Sequence, residues 1–159
     1  MSLDIQIVPI LSDNYVYLAR DSESGKVLCV DPGEAAPVLA KAEDLGWEID
    51  TILITHHHGD HVAGVKTLKA ATGATVIGPG GDSQEIPGLD QSVADGDTVA
   101  FGSETFRVIG VYGHTSGHIT YFAQGDKALF SGDALFSVGC GRLPERCSGV
   151  VRNPFALPF

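Results

Sequence analysis

Short apolar runs separated by turn residues open the chain. Ile5 to Pro9, Tyr15 to Ala19 and Val27 to Val30 read as three strands, with Ser12-Asp13-Asn14 and Asp21-Ser22-Glu23-Ser24-Gly25 supplying the turns between them. Asp31-Pro32-Gly33 ends the third strand. From Ala35 to Leu45 the period changes: Val38, Leu39, Ala42 and Leu45 fall at helical spacing, and Gly46 supplies a stop. Ile49 to Ile54 reads as a buried strand, Val62 to Thr72 as a helix ending at Gly73, and Thr75 to Ile77 as another strand. Gly78 to Asp97 is turn-rich and is expected to be mostly loop. Thr98 to Phe101, Thr105 to Val111, Ile119 to Ala123 and Ala128 to Phe130 read as a closing series of strands. A β-α-β-α-β order followed by a strand meander predicts an α/β sandwich with mixed sheets.

Candidate chemistry collects where these strands end. Thr55-His56-His57-His58-Gly59-Asp60-His61 follows the apolar run Ile52-Leu53-Ile54 directly. Imidazole nitrogen and carboxylate oxygen are ligands that a divalent ion such as zinc takes. In an extended segment residues two apart point the same way, so His56 and His58 can grip one ion while His57 points away. A turn at Gly59 into a helix swings Asp60 and His61 to a neighbouring position, where a second ion can sit. Gly113-His114-Thr115-Ser116-Gly117-His118 follows the strand at Val108 to Val111, and Gly132-Asp133 follows Leu129-Phe130-Ser131. Ligands gather at the carboxyl ends of strands in open α/β folds, so three such ends bearing histidine or aspartate point to one site. Taken alone, His118 reads as a polar residue hydrogen-bonded to backbone.

Composition narrows the class. The 159 residues suit one domain, and 43% apolar against 19% charged residues is enough to build a core. A net charge of −10, with only ten Lys and Arg, argues against nucleic acid and anionic membrane surfaces as partners. The N-terminus lacks the basic-then-apolar form of a signal peptide, and no apolar run is long enough to span a bilayer. Cys29, Cys140 and Cys147 are odd in number and irregular in spacing, which suggests reduced thiols and a cytoplasmic location. Cys29, within Val27 to Val30, reads as a buried strand residue.

Together, Asp13-Asn14-Tyr15, Val30-Asp31-Pro32-Gly33, the Thr55 to His61 cluster, Gly113 to His118, Gly132 to Phe136 and Gly139-Cys140-Gly141-Arg142 resemble the metallo-β-lactamase superfamily. Within it they resemble the hydroxyacylglutathione hydrolases (glyoxalase II), from about Ile5 to Leu143. The resemblance implies an αββα sandwich and a site for two divalent ions, with zinc favoured and iron or manganese compatible. His56, His58 and His114 would hold the first ion, and Asp60 and His61 the second, with Asp133 bridging. The implied reaction cleaves an S-(2-hydroxyacyl)glutathione thioester to glutathione and a 2-hydroxy acid by attack of a metal-bound hydroxide, which Asp60 holds in line. Asp31 and Thr115 are candidates to orient imidazoles, and Arg142 to bind the anionic substrate.

The chain also departs from that pattern. After Leu143 it reads Pro144-Glu145-Arg146-Cys147 and ends at Phe159. Residues 1–143 are therefore expected to form a partial domain, incomplete at its C-terminus, and 144–159 an atypical tail, with the family's C-terminal helical domain absent. No histidine follows His118, so the second ion keeps only Asp60, His61 and Asp133 of its usual ligands. Exposed sheet edges are expected to promote self-association. Two other readings remain: a mononuclear-iron persulfide dioxygenase, and an inactive metal-binding fragment. The dioxygenases usually carry a cysteine where this chain has His118, which favours the hydrolase.

Overall fold

The computed structural model describes residues 2–83, 85–136 and 139–141. Among the described residues ten strands form two sheets. The larger has six strands in sequence order: β1 (Leu3–Ile10), β2 (Asn14–Asp21), β3 (Val27–Val30), β4 (Ile49–Leu53), β5 (Thr75–Pro79) and β6 (Gln91–Val93). β1, β2 and β3 pair antiparallel, and β3 to β6 run parallel. The smaller sheet is an antiparallel meander of β7 (Thr98–Phe101), β8 (Glu104–Gly110), β9 (Ile119–Ala123) and β10 (Ala128–Phe130). The helices α1 (Ala35–Leu45), α2 (Gly59–Val62) and α3 (Val65–Thr72) all lie in the crossovers of the larger sheet.

Strand alternation divides the core into two layers. All of β3 is buried; Val27 and Cys29 face the helices, while Leu28 and Val30 face the second sheet. The helical layer packs Val38 and Ala42 of α1 and Val65 and Leu68 of α3 against Val16, Leu18, Ile52 and Val76. Between the sheets, Leu28, Leu53 and Ile77 meet Phe106, Val108, Ile119, Tyr121 and Phe130. Removing a fully buried side chain such as Leu28 to alanine costs about 2–5 kcal/mol. The Tyr121 hydroxyl, buried in that layer, donates to Ile54 O at 2.9 Å and fixes the end of β4, where the histidines begin.

The predicted elements are present, with two corrections. Gly78 to Asp97 is mostly loop as expected but also holds an unexpected strand: β6 pairs in parallel with β5, Ile77 opposite Gln91 and Pro79 opposite Val93. Only Val93 of its three residues is buried, so it carries no readable alternation. The helix expected over Val62 to Thr72 is split. The Gly64 amide donates to Pro32 O at 2.9 Å, which ties the junction to the turn after β3, and α3 starts anew with Leu68 N bonding Gly64 O. Gly46 and Gly73 both adopt left-handed backbone at helix C-termini, as expected of them.

The architecture is therefore helices on sheet on sheet. Among the described residues no helix covers the outer face of the smaller sheet, so the second helical layer of the expected αββα sandwich is not seen there. Arg142, the boundary at 143 and the tail lie outside the described residues. No helix among the described residues is long and apolar enough to cross a membrane.

Candidate metal centre

Three strand ends converge as the sequence suggests. β4 delivers His56, His58, Asp60 and His61, the loop after β8 delivers His114, and a short 3-10 turn after β10 (Gly132–Ala134) delivers Asp133. Backbone bonds stitch these loops together: Ile119 N donates to Thr55 O at 3.0 Å and Val111 N to His118 O at 2.9 Å. The chain turns at Gly59 into α2, as predicted, and there Asp60 backs directly on to the turn after β3. A side chain at Gly33 would place its Cβ 1.9 Å from Asp60 O, so only glycine permits this approach.

The hydrogen bonds settle which imidazole nitrogens are free. Thr55 Oγ1 donates to Asp31 Oδ2 at 2.7 Å, because a carboxylate only accepts. The same oxygen must then accept from His56 Nδ1, 3.0 Å away. His56 Nε2 is left with a bare lone pair, fully buried and without a partner. His61 Nδ1 donates to Asp31 Oδ2 at 3.1 Å, which leaves its Nε2 facing inward. That atom lies 3.2 Å from Asp133 Oδ1 and 3.5 Å from Asp60 Oδ2 but makes no well-directed hydrogen bond. His114 Nε2 sits 2.9 Å from His58 Nδ1 and 3.2 Å from Asp133 Oδ2. Buried polar atoms without partners cost free energy unless a ligand satisfies them.

Electrostatics point the same way. Burial, then the surrounding imidazoles of His61, His118, His58 and His114, hold His56 well below the usual histidine range. It is thus neutral, the form that coordinates. His58 is also held down, chiefly by burial and by His114. Burial pulls His61 down as well, but the Asp133 and Asp31 carboxylates outweigh it and push the imidazole up to about 10. Burial raises Asp133, but His61 outweighs that and holds the carboxyl low. The carboxylates beside His61 thus favour positive charge in the space between Asp133 and His61.

Two groups of donors converge closely enough for one cation each: His56, His58 and His114, and Asp31, His56 and His61. The second group is better read otherwise. Both Asp31 oxygens are occupied, Oδ1 by Thr55 N at 2.8 Å and Oδ2 by Thr55 Oγ1 and His61 Nδ1. Asp31 therefore orients Thr55 and His61, while Asp60 and Asp133 are the carboxylates beside the inward-facing His61 Nε2. Asp31 holds this pose at φ 53°, a left-handed backbone that aspartate tolerates better than most residues. The donor set of four imidazoles and two carboxylates fits divalent cations.

Other expectations meet mixed outcomes. His118 does bond backbone: its Nε2 accepts from Asp133 N at 3.2 Å, and its ring stacks 4.7 Å from that of His56. His57 stays outside the converging donor groups, as expected, but its ring lies 5.0 Å from that of His58 and it is engaged, donating from Nδ1 to Asp82 Oδ2 at 2.7 Å. Thr115 does not reach an imidazole; its hydroxyl donates to the same Asp82 oxygen at 3.0 Å. Sequence reasoning missed Asp82, which lies in the stretch read as loop, although it follows β5 and the strand-end rule would have marked it. It also gave no role to Asn14, whose amide donates to Asp60 Oδ2 at 2.8 Å.

Comparison with known proteins places this geometry in a family. The model of the metallo-beta-lactamase superfamily matches residues 11–158. A hydroxyacylglutathione hydrolase of Rhodospirillum rubrum is 52% identical over 148 residues, which are 93% of this chain and 58% of that protein. The chain thus spans little more than half the length of the curated relatives it matches. Among solved structures, the B3 metallo-beta-lactamase BLEG-1 superposes with a TM-score of 0.77 at 21% identity, covering 87% of this chain and 76% of that one. TTHA1623 in a di-iron-bound form superposes with a TM-score of 0.73 at 26% identity, covering 85% and 74%. The chain belongs to the metallo-β-lactamase superfamily.

Proposed function

We propose that the chain is a metal-dependent thioester hydrolase of the glyoxalase II type, which cleaves S-(2-hydroxyacyl)glutathione to glutathione and a 2-hydroxy acid. The observation that carries this reading is the bare, buried Nε2 of His56 at the centre of converging imidazoles and carboxylates. The name and 52% identity of the Rhodospirillum rubrum relative support the substrate class, and the di-iron form of TTHA1623 supports a two-metal site.

His56, His58 and His114 would hold the first cation, and Asp60 and His61 the second, with Asp133 between them. Bound there, divalent cations supply Lewis acidity, polarising a carbonyl oxygen and acidifying water. Zinc suits this nitrogen-and-oxygen donor set best, and iron and manganese are compatible. Asp60, 44% exposed at its side chain, stands at the mouth of the site and holds the attacking water in line. Asn14 fixes the Asp60 carboxylate against rotation. Asp31 and Thr55 set the imidazole tautomers that leave the correct nitrogens free. The water oxygen adds to the thioester carbonyl carbon, collapse of the adduct breaks the C–S bond, and of the two protons the water gives up one ends on the departing glutathione thiolate and one in solvent, leaving the 2-hydroxy acid as its carboxylate.

Arg142, outside the described residues, is the proposed anchor for the anionic substrate. Residues 1–143 are the partial metallo-β-lactamase-like domain in this reading and 144–159 an atypical tail, with the chain acting in the cytoplasm. Self-association is part of the same proposal: Ile5 and Ile7 stand 36% and 57% exposed on β1, an edge strand.

The test is release of free thiol from an S-(2-hydroxyacyl)glutathione by zinc-loaded protein, with and without a chelator. Turnover that the chelator abolishes is expected. Oxygen uptake on glutathione persulfide with iron bound, in place of thioester cleavage, would reassign the activity.

A further inference from the structure

His57, like His61, has carboxylates at both ring nitrogens, but its partners lie outside the converging donor set: Nδ1 donates to Asp82 Oδ2, and Nε2 lies 3.0 Å from Glu85 Oε2. Asp82 ends the 3-10 turn (Gly80–Asp82) that follows β5, and it is 4% exposed. Its Oδ2 accepts from two different loops, from His57 in the loop after β4 and from Thr115 in the loop after β8. Each of these residues is next in sequence to a proposed ligand: His57 lies between His56 and His58, and Thr115 follows His114.

The packing around Asp82 is equally close. A Cβ on Gly117 would lie 2.2 Å from Asp82 Oδ1 and 2.8 Å from Asp82 N, and one on Gly81 would lie 3.1 Å from Gly117 Cα. The Asp82 turn and the His114 loop are thus in direct contact, with no room for a side chain between them. Nothing in this arrangement belongs to the converging donor set itself, yet it spans the two loops that supply it.

We infer that Asp82 is a positioning residue, whose buried carboxylate clamps the His56–His58 loop to the His114 loop so that three imidazoles converge before a cation binds. This rests on the reading of His56, His58 and His114 as ligands. A loosened clamp leaves every ligand present but makes binding meet the entropy of bringing two loops together. Outer partners of metal ligands are typically worth about 10–100-fold in metal affinity.

The experiment is cobalt(II) titration of metal-free protein, followed by the visible d–d absorption, on Asp82→Ala, Asp82→Asn, Thr115→Val and His114→Ala. The clamp predicts that Asp82→Ala weakens cobalt affinity about tenfold or more, and that Thr115→Val weakens it by a smaller factor. Asp82→Asn, which keeps an acceptor oxygen, recovers part of the loss. The absorption of the saturated variants stays like that of the parent, since the ligands are unchanged. If Asp82→Ala does not fold, Thr115→Val and Asp82→Asn decide, and parental affinity in both overturns the clamp. A lower melting temperature with parental cobalt affinity in Asp82→Ala also overturns it, since that is a stabilising role only. His114→Ala separates the two claims. Loss of affinity there with none in the Asp82 and Thr115 variants overturns the clamp alone; parental affinity in His114→Ala overturns the ligand assignment, and the clamp with it.

Discussion

Asn14 donates its side-chain amide to Asp60 Oδ2 across 2.8 Å, from the first residue of β2 to the first turn of α2. The pair is exposed, so it contributes little to folding, yet it aims the carboxylate that the proposed mechanism uses to hold water. Asn14→Ala is expected to lower kcat about tenfold or more, the worth of a hydrogen bond to a charged group, with the melting temperature nearly unchanged. Steady-state kinetics beside a thermal melt checks this. A loss of stability with kcat intact would make the pair structural.

Asp133 presents one oxygen to His61 and the other to His114, each at 3.2 Å. A carboxylate shared in this way serves both proposed cations. Asp133→Asn keeps the shape and removes the charge, and is expected to weaken binding at both positions by more than about tenfold. Elemental analysis after dialysis reads it directly, and parental metal content would remove Asp133 from the site.

The buried Asp21 carboxylate joins the two sheets. It accepts from Ser24 N and Oγ in the turn after β2, and from Ser103 N and Oγ in the turn between β7 and β8. Burial raises its pKa, but these four donors outweigh burial and hold the carboxyl well below the usual range. A group depressed on folding stabilises the protein above its unfolded value of about 3.9, and that stability is lost as the pH falls from there toward the folded value. Urea midpoints between pH 6 and pH 2 are expected to fall more steeply for the parent than for Asp21→Asn. At pH 7 the variant melts about 5 °C lower. Parallel pH profiles would contradict the assignment.

Ile7 is the most exposed large residue of β1, at 57%. It shares with Tyr17 a face of the sheet that elsewhere packs against the smaller sheet. An uncovered apolar edge invites pairing between copies. Sedimentation is expected to show concentration-dependent association in the parent and a shift toward monomer in Ile7→Lys. A monodisperse parent would exclude this route.

How much of this was readable beforehand follows from the kind of pattern involved. β3, α1, β7 and β9 match their predicted spans because their apolar spacing repeats over more than one buried position, and β10 matches because its short apolar run is bounded by turns. The six proposed ligands were legible as candidates because short-range spacing and strand ends mark them, while their division between two ions, with Asp133 bridging, came from the family resemblance. The roles of Asp82 and Asn14 were not legible, since each acts through a partner tens of residues away that only the fold brings near; the place of Asp82 after β5 was the one signal on offer. β6 escaped because parallel pairing to β5, rather than its own three residues, makes it a strand. The split between α2 and α3 depends on Pro32 O, thirty-two residues from the amide it captures.

The most direct test of the central claim counts metal per chain by elemental analysis and measures glutathione-thioester hydrolysis on the same zinc-loaded sample. Two ions per chain, with turnover lost in His114→Ala and Asp133→Asn, is the predicted result. Bound metal with no thioester cleavage would contradict it, and would mark this chain as a metal-binding member of the superfamily without the hydrolase activity.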